Sequence, residues 1–158
     1  MTKTISGLLL STLLISVTAA NQMQSLSPQD TFAASRLSQK EIRQIRDEVE
    51  QSAYDTPESW EKELRVKRVD LGKRSGLVVR GTNLLCGATG NCQTWIFQKI
   101  RDRWVSLFPK DQVPVIESFC LGPSITAEIK DLTVSANLSA QSVQTITYKF
   151  DGKFYRAK

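Results

Sequence analysis

Two cysteines on either side of a short loop restrict this chain more than any other feature. Cys86 and Cys92 are separated by five residues, two of which are glycine, and strand-forming residues precede and follow the loop. The chain contains no histidine, and the spacing matches neither a zinc site nor a thioredoxin-like C-x-x-C motif. We therefore predict a disulfide across a hairpin-like loop, with no metal and no cofactor.

The first twenty residues are typical of a secretory signal peptide. Lys3 precedes a short apolar run over residues 8–15, and small residues follow at positions 17–20. The apolar run is short for a membrane anchor, and no other stretch is long and apolar enough to span a bilayer. We therefore expect a periplasmic or secreted protein, a location in which paired cysteines form disulfides.

The remaining chain predicts one domain. Residues 21–36 are polar and are expected to be a flexible lead-in to a single β-rich domain over residues 37–158. Ser38 and Glu41 form a capping-box pattern, and apolar residues at helical spacing follow at Ile42, Ile45 and Val49. From Leu64 onward the apolar residues alternate, with turn residues between short runs. The predicted fold is α+β, with one N-terminal helix packed on a mainly antiparallel, curled or barrel-like sheet of about eight short strands.

The last hairpin has the clearest turn pattern. Asp151 and Gly152 are the residues favoured in a two-residue type I′ turn. Such a turn would pair Phe150 with Lys153, and Tyr148 with Tyr155.

Few side chains are candidates for chemistry. Without histidine, the Ser-His-Asp and Cys-His nucleophile systems are excluded, and we predict no catalytic residue. Cys120 has apolar neighbours and is expected to be a buried, inert thiol, with intermolecular pairing as the alternative. No spacing forces two carboxylates together; the candidates considered are Asp70, Glu117, Asp131 and Asp151.

Two segments are candidates for binding. A loop held by a disulfide on a sheet is a good recognition surface, and its residues are Gly87, Ala88, Thr89, Gly90 and Asn91. A basic hairpin that could follow a polyanion contains Arg65, Lys67, Arg68, Lys73 and Arg74. The alternative is that these charges are solvated and protect an edge strand. The formal net charge of +5 suits an anionic envelope polymer or a protein, whereas nucleic acid is not expected outside the cytoplasm.

Several segments resemble small exported bacterial β-domain proteins that are uncharacterised. The matching pieces are Cys86–Cys92, Gln93–Phe97 and Tyr148–Tyr155, within a likeness that covers residues 64–157. The resemblance implies a periplasmic β domain with a short disulfide loop and a C-terminal D-G hairpin, and it carries over no catalytic residue.

We therefore expect an exported, non-catalytic binding module for an envelope polymer or a protein, of inhibitor or immunity type in one version. The first alternative is a small carboxylate-dependent hydrolase of the cell envelope. It predicts a concave pocket with at least two acids and one raised carboxyl pKa. The second alternative is a structural envelope component, which predicts neither the pocket nor an exposed rigid loop.

Overall fold

The computed structural model describes residues 22–53 and 61–158. The predicted signal peptide lies outside these residues. So does a turn that Pro57 and its polar neighbours predict over residues 54–60. The described residues form helix α1 (Gln39–Glu50) and nine strands: β1 (Leu64–Asp70), β2 (Ser75–Gly81), β3 (Cys92–Ile100), β4 (Arg103–Ser106), β5 (Val115–Ile116), β6 (Ser118–Thr126), β7 (Ile129–Ser139), β8 (Ser142–Phe150) and β9 (Tyr155–Ala157).

The strands form two antiparallel sheets. The first has the order β1-β2-β3-β4, with β5 paired to the start of β3, and the second has the order β6-β7-β8-β9. The predicted strand number is close, but the prediction of a curled or barrel-like sheet is wrong, because neither sheet is closed or curled. The chain changes sheets at Glu117, which lies between β5 and β6 and donates its N–H to the carbonyl of Ser135 in β7 at 2.8 Å. Alternating apolar residues predict strands but do not specify where such a change occurs.

The predicted capping box of α1 is confirmed. The Ser38 hydroxyl accepts from the Glu41 N–H at 3.3 Å, and the Glu41 carboxylate accepts from the Ser38 N–H at 2.9 Å. The same carboxylate accepts from Lys99 at 3.0 Å and from the Trp104 indole at 3.1 Å. These contacts, led by the Ser38 N–H, lower the pKa of Glu41 to about 2 and fix the helix against the first sheet.

Strand β3 is central to the core. Every residue from Cys92 to Gln98 is buried, so both faces of the strand are covered. On one face, the indole of Trp95 donates to the hydroxyl of Ser52, just after α1, at 2.8 Å. Apolar residues of both sheets belong to one buried cluster with the helix residues Ile45 and Val49.

Part of the predicted lead-in is packed on the domain. Gln24 and Phe119 exchange backbone hydrogen bonds of 2.6 and 2.9 Å, which adds a bridge to the edge of β6. The carbonyl of Asp30 accepts from the Val66 N–H of β1 at 2.8 Å, and the Phe32 side chain is buried.

The register predicted for the last hairpin is wrong. Phe150 pairs with Tyr155, and Tyr148 pairs with Ala157. The turn is longer than two residues because the Asp151 carboxylate accepts from the N–H groups of Lys153 and Phe154 at 2.8 and 2.7 Å. These bonds lower the pKa of Asp151 to about 2. A side chain that satisfies the turn's own N–H groups thus replaces the tight two-residue turn.

Candidate functional site

The predicted disulfide between Cys86 and Cys92 is confirmed. The two residues also form an isolated antiparallel bridge, with their Cα atoms 3.9 Å apart. Within the loop, the Gly87 N–H donates to the carbonyl of Asn91 at 2.7 Å, and the Gly90 N–H donates to the carbonyl of Gly87 at 3.0 Å. Gly90 has a φ of +80°, a conformation that glycine adopts without strain. The loop is therefore closed by both sulfur and main-chain bonds.

A pair of asparagines fixes this loop to the second sheet. The buried Asn91 donates to the carbonyl of Asn137 in β7 at 2.7 Å and accepts from the Asn137 N–H at 2.8 Å. The Asn137 side chain donates in turn to the carbonyl of Thr89 at 3.2 Å. These partners are 46 residues or more apart, so nothing in the local sequence pattern predicted the contact. Asn91 is therefore a structural clamp, whereas the other predicted loop residues are free to face solvent.

The tip of the loop is exposed beside the end of the β7–β8 hairpin. Residues 87–90 are all exposed, and the side chains of Leu84 and Leu138 are 63% and 61% exposed. A depression of about 300 Å³ lies between the two segments. Its lining residues are Ala88, Thr89, Asn137, Ser139 and Ala140. We call residues 84–91 and 137–140 together the loop end, and they contain no charged side chain.

Arg80 connects the loop to strand β2. Its guanidinium donates to the carbonyl of Gly90 at 3.3 Å, and its buried Nε has no hydrogen-bond partner among the described residues. Burial lowers the pKa of Arg80, and the charge of Glu117 opposes that effect. Arg65 stands directly opposite Arg80 in the β1–β2 register, so two cations face each other across the strands.

The structure separates the five predicted basic residues. Strand alternation places Arg65 and Lys67 on one face of β1 and Arg68 on the other, where Arg68 donates to the carbonyl of Ser35 at 2.7 Å. Lys73 and Arg74 lie at the β1–β2 turn instead, away from the loop end.

Glu128 offsets part of the positive charge at that turn. Its carboxylate pairs with Lys73 at 3.4 Å and with Arg74 at 3.3 Å, and Arg74 also donates to Gln98 at 2.7 Å. These hydrogen bonds lower the pKa of Glu128. We call Lys73, Arg74 and Glu128 the charged corner.

The candidate carboxylates lie at different places, and three of them pair with different cations. Asp70 pairs with Lys130 at 2.7 Å, Asp131 with Lys149 at 3.4 Å and Asp151 with Arg156 at 3.1 Å. Among the described residues, each carboxyl group with a resolved pKa shift is lowered: Glu41, Asp70, Glu128 and Asp151. That direction is the opposite of the one that a general acid requires.

Three further observations complete the site. Cys120 is a free, buried thiol, as predicted. Over residues 22–53 and 61–158, no group of three or more His, Cys, Asp or Glu side chains is placed to hold a metal ion. In the same ranges, no helix has the length and apolar character needed to cross a membrane.

No protein-family model, no curated protein and no solved structure matches this chain. The geometry of the described residues therefore carries the functional argument.

Proposed function

We propose that this protein is an exported, non-catalytic binding module that engages a protein partner through the loop end. The observation that carries the proposal is the clamp between Asn91 and Asn137, which adds to the disulfide and holds an exposed loop in one conformation. The disulfide also supports export to an oxidising compartment, periplasmic or extracellular.

The clamp favours binding because a loop that is already ordered loses little conformational entropy when a partner binds. The depression lies between the loop tip and the hairpin end, and the loop end also carries the exposed side chains of Leu84 and Leu138. Because the loop end is uncharged, it suits an uncharged protein surface that matches its shape, rather than an anionic polymer.

The basic hairpin supports polymer binding less well. Two of its five predicted cations, Lys73 and Arg74, pair with Glu128, and Arg68 lies on the opposite strand face from Arg65 and Lys67. The carboxylate-dependent hydrolase stays an alternative, but the resolved pKa shifts of Glu41, Asp70, Glu128 and Asp151 are all downward, whereas this alternative predicts a raised one. A structural envelope component would not need an exposed, clamped loop.

Capture experiments with matched surface variants test the proposal. The immobilised mature protein is exposed to a native envelope fraction. Two variants are treated in the same way: Ala88→Arg at the loop end, and Ile125→Arg in β6 near the β6–β7 turn. Both positions are exposed, and both variants gain one arginine. We expect Ala88→Arg to lose the protein that the unmodified chain captures, while Ile125→Arg keeps it. Equal capture by both variants, with unchanged circular dichroism, would remove the loop end as the binding site.

A further inference from the structure

One stretch of strand edge has no partner among the described residues. Strand β9 pairs with β8 only from Tyr148 to Phe150, and the Lys158 N–H then donates to the carbonyl of Thr147 at 3.0 Å. Residues 142–146 extend past this point with β7 on one side only. Residues 142–145 are exposed, and Val143 is 60% exposed.

The direction of the free backbone groups follows from strand alternation. Thr147 points its carbonyl to the β9 side, and groups of one strand that point the same way recur at every second residue. Val143 and Thr145 therefore direct their N–H and C=O groups away from β7, and no described group bonds them. Such a row of unpaired N–H and C=O groups is a template with which another strand can pair.

Each of the other four edge strands bonds, at one position or more, to a further segment of the chain. Asp30 bonds to the edge of β1, Gln24 to the edge of β6, and the Tyr155 N–H of β9 donates to the carbonyl of Leu107 at 2.8 Å. On β4, the Trp104 N–H donates to the side chain of Gln44 in α1 at 3.2 Å. The edge at residues 142–146 thus differs from these four.

This edge also lacks the features that usually prevent strand addition. Residues 132–148 contain no Asp, Glu, Lys, Arg or Pro, although charged residues make up 23% of the chain. Natural edge strands are normally protected by lysine, proline or a covering segment. In a chain of net charge +5, an uncharged edge is also one where two copies can meet without like-charge repulsion.

We propose that a second copy of this chain pairs with this edge, antiparallel, about a twofold axis at Gln144. The free stretch is symmetric about that residue, so the register places Val143 opposite Thr145 of the other copy. Their outward groups would form about four main-chain hydrogen bonds. The β9 strand ends the pairing beyond Ile146 in each copy, which excludes longer registers. This proposal uses the outer edge of β8 rather than the tip of the loop end, although both lie on the β7–β8 hairpin.

The strand pair is short, so we expect a dimer with a dissociation constant in the micromolar range rather than an obligate one. Sedimentation velocity measures this dissociation constant. The mature protein is studied over about a hundredfold range of protein concentration around the expected constant. We expect the weight-average mass to rise toward that of a dimer. A monomer throughout that range would overturn the proposal.

A cysteine pair tests the register. At the twofold axis, the Cα atoms of two Gln144 residues would lie about 4.5 Å apart, within disulfide range. Gln144→Cys should therefore give a covalent dimer under mild oxidation. Gln141→Cys is an equally exposed control on the same hairpin, but its two copies would lie about 20 Å apart and should stay monomeric. Equal cross-linking of the two variants would contradict the register.

A proline variant tests the hydrogen bonds. Thr145→Pro removes an N–H that points away from β7, so the β7–β8 pairing keeps its bonds. We expect at least a tenfold weaker dimer with unchanged circular dichroism, and a dimer that survives unchanged would overturn the strand pairing. If this variant fails to fold, the two cysteine variants still decide the question.

Discussion

The loop end and the charged corner lie at opposite ends of strand β2, and both contain residues predicted to bind a partner. At the charged corner, Lys73 and Arg74 share the single carboxylate of Glu128, which is 54 or more residues away in the chain. At the loop end, a polar contact between residues similarly far apart in the chain keeps the candidate surface available instead. The Asn91–Asn137 clamp joins the amide of the buried Asn91 to the main chain of Asn137 and leaves the loop tip exposed. Long-range contacts thus occupy the cations of the charged corner, whereas at the loop end they hold the surface in place and leave it exposed.

Removing the disulfide should give the largest effect on this comparison. The Cys86→Ser/Cys92→Ser variant loses the constraint on a short loop, and we expect the free energy of unfolding to fall by about 2–3 kcal/mol. Urea unfolding with and without the substitutions measures the change. Because the cross-link closes only the loop end, amide exchange should accelerate there and stay unchanged at residues 73–74. Equal acceleration of amide exchange at the loop end and at residues 73–74 would show that the disulfide does not act on the loop end alone.

Removing the clamp should have a slightly smaller effect. Asn91→Ala leaves the Asn137 N–H and carbonyl without their partner, and we expect a loss of about 2 kcal/mol in unfolding free energy. Gln141→Ala is the control, since it removes an exposed amide from the same hairpin and should change stability by less than about 0.5 kcal/mol. Equal stabilities of the two variants would show that the clamp does not hold the loop.

Releasing the charged corner should change binding more than stability. Glu128→Gln frees Lys73 and Arg74, so the variant should elute from a heparin column at higher salt than the unmodified protein. Glu61→Gln makes the same charge change at an exposed site away from the corner and serves as the control. The same elution shift from both variants would mean that net charge, rather than the corner, governs polyanion binding.

The smallest effect concerns pH. The pKa of Glu128 is held below its ordinary value of 4.5 by Arg74 and Lys73, so its ion pairs persist above that pH. Their contribution is lost as the pH falls through the lowered pKa, and heparin binding should then strengthen. The loop end contains no titratable side chain, so partner capture should stay constant from pH 8 to about 5. Capture that weakens over this range would place titratable groups in the binding surface.

Local patterns predicted the local parts of this molecule. The Ser38–Glu41 capping box, the helical face through Ile45 and the Cys86–Cys92 bond each depend on residues a few positions apart, and each is confirmed. The two wrong predictions have different causes. The chain passes from one sheet to the other at Glu117, whose N–H bonds to the distant Ser135, and short patterns do not encode such a contact. The register of the last hairpin is set locally, because the D-G pattern predicts a two-residue turn but does not show that the Asp151 carboxylate bonds the N–H groups of Lys153 and Phe154.

The candidate site divides in the same way. Glycine and cysteine spacing predicted where the loop lies, whereas its attachment to Asn137 and the ion pairs of Lys73 and Arg74 with Glu128 both join residues more than 45 positions apart. A charge count reports how many cations a hairpin has, but not which of them an acid elsewhere in the chain will pair with. For that reason the sequence suggested two binding surfaces, and the contacts favour one of them.

Site-specific photo-crosslinking in cells that make this protein tests the central claim most directly. A photoreactive residue is placed at Ala88 or Leu138 in the loop end, and at Lys73 or Arg74 in the charged corner, and adducts are compared after irradiation. We predict that both loop-end positions give the same discrete protein adduct and that the corner positions do not. Adducts from the corner alone would contradict the account.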